Sequence, residues 1–437
     1  MQNFKDFLKR LPRHWFVAAS AWGSKIIVSL VQIISIRELL LFLGEDRYAV
    51  YLIAYSLTAW LLLSNFSVSI SLQNYISEHR VKKQSYDEYM IAAVQIAAVI
   101  FLLVSGLAFF FSYPVQNILL RKFSAIPDLS SMPVVLTVSI VALITTLSSL
   151  SYSVYFARHK GYIPNILPAV SAACSMALIT TFNKYSVMKH NIVLALLIFT
   201  VPQLIFSLIP FILVFRQYFS RILQFNKNVL KSLLVRAGKF HGVTVAGIVY
   251  AQTDYIIMSQ TLLPKDIIIY NIFMRVFMIF YFIYASVLTA SWPVFSEMYV
   301  EQRFKEIKTR IKKYILYAGG FIISGTLCTL IFSDFIVKTL APDISARISP
   351  FFISLLGFYM LFKIFNDTFT SVLQSFNVIK ILWIYAPFQI IINASAQYFF
   401  SKRCGINGII IGLILSLLLT SVWMLPLKTY KILKEKT

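Results

Sequence analysis

Residues 89–112, YMIAAVQIAAVIFLLVSGLAFFFS, run for 24 positions without one charged side chain. A bilayer core about 30 Å thick is crossed by roughly 20 mostly apolar residues in a helix, so this stretch predicts a membrane span and puts the chain in lipid. Working outward, the same template predicts eleven further spans near 16–36, 49–72, 132–156, 162–182, 191–214, 241–262, 267–291, 314–333, 351–375, 380–400 and 406–427. The composition agrees: 59% of the 437 residues are hydrophobic and 13% are charged, against about 25% charged in an ordinary globular chain. A soluble enzyme, a disordered tail protein and a coiled coil are excluded. No segment is long or polar enough for an extramembrane domain, so any chemistry belongs inside the bundle or at its mouths.

The net charge of +23 would suggest nucleic acid in a soluble protein. Its distribution says otherwise. With the N-terminus placed in the cytoplasm, 26 of the 40 Lys and Arg residues fall on the cytoplasmic side, 11 on the opposite side and 3 within spans. That is the positive-inside rule, with both termini inside, and nucleic acid is not expected as a partner. The arm carrying Lys5, Lys9, Arg10 and Arg13 resembles the start of a signal peptide, but the apolar run behind it is about 21 residues, longer than the usual signal core. It reads as a retained first helix. Cys174, Cys328 and Cys404 lie far apart and suggest neither a disulfide framework nor a metal site.

The two halves echo each other. Leu43, Gly44, Asp46 and Tyr51, followed by Ser77-Glu78, match Leu263, Pro264, Asp266 and Tyr270, followed by Ser296-Glu297. Each copy spans a short outer turn, a helix and a basic inner loop. Six spans per half give both halves the same orientation, with a substrate path expected between them. The predicted architecture is all-α: twelve transmembrane helices in two parallel six-helix lobes around a central cavity. Residues 1–215 form the first lobe, 216–240 a basic cytoplasmic linker and 241–437 the second lobe.

The run Arg37-Glu38-Leu39-Leu40-Leu41-Phe42-Leu43-Gly44, then Tyr48 to Tyr51, then Asn74-Tyr75-Ile76-Ser77-Glu78, resembles the first hairpin of bacterial O-antigen flippases. These belong to the multidrug/oligosaccharidyl-lipid/polysaccharide exporter superfamily. Gln252-Thr253-Asp254-Tyr255 through Leu262-Leu263-Pro264, Tyr270-Asn271 and Arg275, closing with Pro293 and Ser296, resembles that family's seventh and eighth helices. The chain departs from the family at Ala49, Ile269 and Pro264, where glycine is usual. The resemblance implies a two-lobed fold that moves an undecaprenyl-pyrophosphate-linked sugar repeat from the inner to the outer leaflet.

Charges inside a bilayer are expensive and mark functional sites. Five are expected there: Lys25, Asp254, Arg275, Lys363 and Asp367. Lys25 lies near mid-depth with Ser29 and Gln32 at i+4 and i+7, a polar stripe on the first helix; the alternative is a lysine snorkelling to the headgroups. Asp254 and Arg275 sit at equal counted depth across a helical hairpin and are expected to pair, as a coupling element or a structural lock. Tyr359, Lys363, Asp367, Thr370 and Gln374 share one face of the tenth span. Gln389, Asn393 and Gln397 share one face of the eleventh. Such rows meet water or protein rather than lipid, and a cavity lining is favoured over a dry seam. The Phe277 to Tyr284 aromatics read as packing.

No phosphate-binding glycine loop, no paired metal-binding histidines and no nucleophile elbow occur, so no cofactor, metal or catalytic residue is predicted. The expected activity is transport of a lipid-linked oligosaccharide, with Lys25, Arg275 and Lys363 meeting the pyrophosphate. Ser29, Gln32, Thr370, Gln374, Gln389 and Asn393 would line the sugar route, and Asp254 and Asp367 would serve coupling or ion pairing. Expected partners are the lipid-linked substrate, membrane lipids, a polysaccharide polymerase and a chain-length regulator, in the inner membrane. The rivals are a multidrug cation antiporter of the same superfamily, disfavoured because spans 1–6 hold no Asp or Glu in their interiors, and a polymerase or acyltransferase of the same pathway.

Overall fold

A computed structural model describes the chain except residues 1–12, 128, 130–131, 186–187, 343, 345–347, 377, 379 and 436–437. The basic arm before Arg13 and Asp128 therefore lie outside the described residues. The described residues form helices and turns only. The first unit, up to Ile248, contains α1 (Arg13–Leu43), α2 (Glu45–Leu61), α3 (Val68–Val81), α4 (Asp87–Leu119), α5 (Val134–Ser148), α6 (Leu150–Ala157), α7 (Tyr162–Tyr185) and α8 (Ile192–Phe215). The division falls inside α9 (Lys227–Thr261). The second unit, from Val249, holds the rest of α9, then α10 (Pro264–Val300), α11 (Phe304–Leu340), α12 (Pro350–Ser375), α13 (Lys380–Cys404), α14 (Ile406–Leu419) and α15 (Ser421–Glu435). The all-helical, membrane-spanning architecture expected from the sequence is what is observed.

Among the described residues, 10 stretches are long and apolar enough to cross a membrane, two fewer than the twelve expected. The other two expected spans fall on α9 and α13. Both helices are long enough, 35 and 25 residues, and both are diluted by polar residues: Gln252, Thr253 and Asp254 in α9, and Gln389, Asn393 and Gln397 in α13. At 1.5 Å per residue the 37-residue helices α10 and α11 are about 55 Å long. They outrun a bilayer core of about 30 Å and carry their charged ends beyond it.

The two halves begin their second helices with different chemistry. Gly44 adopts φ 77° and ψ 173° before α2, a conformation reached easily only without a Cβ. In the other half Leu263 is extended and Pro264 occupies the first turn of α10, where a missing N–H costs nothing. The Pro-for-Gly departure thus still yields a tight turn. The second expected span is broken: a 3₁₀ turn over Leu62–Asn65 follows α2, and Phe66 and Ser67 take φ 48° and 55°. Asn65 then restarts the helix, its Oδ1 accepting the Ser69 N–H at 3.1 Å.

Inside the first unit α1 packs on α7 and α5 on α8. The end of this unit where α3, α4, α6, α8 and α9 come together is held by a buried cluster that includes Leu72, Ile76, Met90, Val154, Phe215 and Leu233. Beside it Arg236 lies over the Tyr75 ring at 4.6 Å and bridges Glu78, which holds the Glu78 carboxyl below its ordinary value. In the second unit, the ends of α10, α12 and α15 and the start of α11 close around Phe295, Met298, Ile307, Ile311, Val372, Leu373 and Leu433.

Helices α13 and α14 approach each other closely. A Cβ on Gly412 would lie 2.5 Å from the Gln397 backbone nitrogen, and one on Gly408 would lie 2.2 Å from the Phe400 carbonyl carbon and oxygen. Small residues four apart let two backbones touch in a membrane, where dispersion and hydrogen bonds replace the hydrophobic effect as the cause of association.

Candidate functional site in the second unit

The densest polar arrangement within a span is on α12. Lys363 and Asp367, one turn apart, form an ion pair with Nζ to Oδ2 3.0 Å, their side chains 24% and 23% exposed. The same Oδ2 accepts the Tyr281 hydroxyl of α10 at 2.6 Å, and Oδ1 accepts Asn366 Nδ2 at 3.0 Å. Lys363 Nζ also lies 4.3 Å from the centre of the Tyr281 ring, within cation–π range. One turn along α10, the Tyr284 hydroxyl meets Thr368 Oγ1. The carboxylate is therefore well supplied with donors. The ammonium has three N–H groups and is partly accessible, so it can turn a donor toward an anion.

Thr370 and Gln374 continue the same helix face, both half-buried, and Tyr359 precedes it, buried. The α13 row has a different character. Gln389 is 7% exposed and Asn393 and Gln397 are 0%, Gln397 Nε2 donates to Asn393 Oδ1 at 2.8 Å, and the Gln397 side chain lies where a Cβ on Gly412 would go. This is the geometry of a helix–helix seam. In the first unit Lys25 and Gln32 are exposed on α1 and Ser29 is half-buried.

The salt bridges of the described residues do not include the expected Asp254–Arg275 pair. Asp254, 5% exposed, accepts the Tyr270 hydroxyl on Oδ2 at 2.5 Å and the Tyr255 N–H on Oδ1 at 2.9 Å. Asn271 Nδ2 donates to the Tyr255 hydroxyl at 2.6 Å. The reason is register. The expected hairpin placed the start of the eighth span at residue 267, whereas α9 ends at Thr261 and α10 starts at Pro264. The residues level with Asp254 are then Tyr270 and Asn271, and Arg275 lies about one turn further along.

This arrangement predicts a measurable coupling. Asp254→Ala leaves the Tyr270 hydroxyl buried without its acceptor, and Tyr270→Phe takes a donor from a buried carboxylate. Each should cost about 1–3 kcal/mol. In a double-mutant cycle read by thermal unfolding of the purified protein, Asp254 and Tyr270 should couple by about 1 kcal/mol or more, and Asp254 and Arg275 by much less. The reverse ranking would restore the ion pair.

Sequence reasoning missed Tyr281, Tyr284, Tyr270 and Asn366. The signal at Tyr281 and Tyr284 was two hydroxyl-bearing rings three residues apart within a phenylalanine-rich run, where a phenol is placed at a cost unless its O–H finds a partner.

Residues 242–399 match the MatE family. Over 430 residues, 98% of each chain, the sequence is 36% identical to a Salmonella typhi protein described as an O-antigen transporter. It is 33% identical to a Yersinia pseudotuberculosis protein described as an O-antigen export protein, over 95% of this chain and 96% of the relative. Among solved structures, the inward-facing form of a multidrug resistance transporter of the MATE family and MOP superfamily superposes with a TM-score of 0.77 at 11% identity, covering 95% of this chain and 99% of the other. The lipid II flippase MurJ in an inward closed conformation superposes with a TM-score of 0.72 at 14% identity, covering 96% and 89%. Those two likenesses establish the fold, and the sequence identity over nearly the whole length establishes the family: the chain belongs to the O-antigen transporters of the MatE type.

Proposed function

We propose that this protein flips a lipid-linked O-antigen repeat unit from the cytoplasmic to the periplasmic leaflet of the bacterial inner membrane by alternating access, with both termini in the cytoplasm. The observation that carries the reading is the Lys363–Asp367–Tyr281 cluster, a partly accessible cation held ready within a membrane span of a chain whose full-length relatives are described as O-antigen transporters. A pyrophosphate entering beside α12 competes with Asp367 for Lys363. Once released from the ammonium, Asp367 is the carboxylate that couples headgroup passage to a cation. Arg275 and Lys25 supply further positive charge along the route, and Ser29, Gln32, Thr370 and Gln374 supply hydroxyl and amide groups for the sugars, whereas Gln389 and Asn393, buried in the seam of α13, hold helices together. The polyprenyl tail stays in lipid. A polysaccharide polymerase and a chain-length regulator are the partners that such a product requires downstream.

An inside-negative potential favours outward movement of negative charge by about 2.3 kcal/mol per charge per 100 mV, so the potential assists the flip. The reading is tested in a strain lacking its own O-antigen flippase. The wild-type chain should restore the surface polysaccharide, Lys25→Arg should retain most of that activity and Lys25→Ala should lose at least tenfold, scored on lipopolysaccharide gels at matched protein abundance. A wild-type chain that restores nothing, with its cognate sugar genes supplied, would remove the assignment. Labelling of a cysteine at the tail from the periplasm would remove the topology.

A further inference from the structure

Helix α12 has a second face. Phe358, Leu361, Phe362 and Phe365 recur at i, i+3, i+4 and i+7, and at 100° per residue they lie roughly 170° around the helix from Lys363 and Asp367. With Ile315 and Gly319 of α11, Ile364 and Val422 they line an apolar cavity of about 310 Å³, at the lower end of the volumes of ligand sites. The cavity opens outward, Phe358 being 49% exposed. Its shape comes from how α11 and α12 cross. They touch where Gly357 meets the Thr326 side chain and meet again in the cluster that holds Ile311, Val372 and Leu373, leaving a gap between the two contacts. There a Cβ on Gly319 would find Leu361 Cδ2 only at 3.9 Å.

The mouth carries charge. Lys312, Ile315 and Gly319, at i, i+3 and i+7, share a face of α11, and Lys312 and Lys313 are exposed. These lysines close the basic run that begins at Arg303, immediately before the apolar part of the helix. A cation at headgroup depth with an apolar slot directly above it on the same helix face is complementary to an amphiphile with an anionic head and a bulky tail. The lining is aromatic and branched, which suits methyl-branched isoprene units better than a straight acyl chain.

We infer that this groove, between α11, α12 and α15 of the second unit, seats the first isoprene units of a polyprenyl pyrophosphate, with Lys312 at its phosphates. The inference rests on the proposed flippase function. Helix α12 then stands between the two ends of one substrate, the tail on its apolar face and the headgroup route on its polar face.

The test uses the full chain in phosphatidylethanolamine–phosphatidylglycerol vesicles containing a radiolabelled long-chain polyprenyl pyrophosphate. A photoreactive side chain is introduced as Phe358→p-benzoylphenylalanine or, as the control on an exposed face of the first unit, Phe111→p-benzoylphenylalanine. Labelling at 358 should exceed that at 111 at least fivefold. Excess unlabelled polyprenyl phosphate should suppress it, and excess phosphatidylglycerol should not. Gly319→Phe, or Ile315→Trp if the first variant does not fold, should cut labelling at least fivefold with an unchanged unfolding temperature. Lys312→Gln should do the same, and Lys313→Gln, on another face of α11, should not. Equal labelling at the two sites, suppression by phosphatidylglycerol, or indifference to the filling variants would each overturn the groove. If the wild-type chain restores polysaccharide export and the filling variants label and export normally, the groove alone falls. If the wild-type chain exports nothing, the flippase reading falls with it.

Discussion

Replacing both members of the α12 ion pair at once, Lys363→Gln with Asp367→Asn, should leave the protein abundant in the membrane and reduce polysaccharide export at least a hundredfold. Either single change leaves a charge in a span without its partner, and breaking a buried pair costs about 3–5 kcal/mol, less here because the two side chains remain 24% and 23% exposed. The singles should therefore lose some abundance. The double variant keeps an acceptor for the Tyr281 hydroxyl, which now donates at 2.6 Å, and it removes both charges, so abundance should recover. Export should not, because no cation remains there for a pyrophosphate and no carboxylate for a coupling cation. Abundance measured by immunoblot beside export on lipopolysaccharide gels separates the outcomes. A double variant that exports normally would make the pair a structural element only.

A large effect on folding is expected at Gly412. A single added carbon would lie 2.5 Å from the Gln397 backbone nitrogen, a position no rotamer change can relieve, so α13 and α14 must separate. Overpacking typically costs 1–3 kcal/mol, and here the interhelical contacts built on Asn393 and Gln397 would be lost as well. Gly412→Leu should lower the unfolding midpoint by on the order of 10 °C or prevent accumulation altogether, and Gly412→Ala should show part of the effect. Gly320→Ala serves as the control, because a Cβ there meets nothing within 4 Å. A Gly412→Leu protein that melts with the wild type would mean the helices are not in contact at this point.

Much of this molecule is legible in the sequence because lipid imposes simple rules. Mostly apolar runs of 20 or more residues mark spans, and Lys363 and Asp367 stand out as charges one turn apart within such a run. The period of 3.6 puts Tyr359, Thr370 and Gln374 on their face before any coordinates are known. What was not legible depends on register and on side-chain ends. Asp254 was paired with Arg275 by counting from a turn placed three residues too far along, and three residues are nearly one helical turn. Tyr281 was read as packing because its ring is apolar. Its hydroxyl, which decides its role, has meaning only once Asp367 is across from it. The α13 amides look the same in sequence whether they face water or a neighbouring helix, and only the approach of Gly412 shows Gln397 against α14.

The break between α2 and α3 gives the second span an unusual mechanical character. A continuous helix in a membrane shares any bend among many hydrogen bonds, each yielding a little. Here Phe66 and Ser67 already hold positive φ angles, costly for residues with a Cβ, and the amide of Asn65 rather than a backbone carbonyl restarts the ladder at Ser69. Two stiff rods of 17 and 14 residues therefore meet at a pin about two residues wide. In amide hydrogen exchange the pin should appear as a short fast-exchanging node between two protected blocks, and a torque on either rod would be spent at one point along the chain.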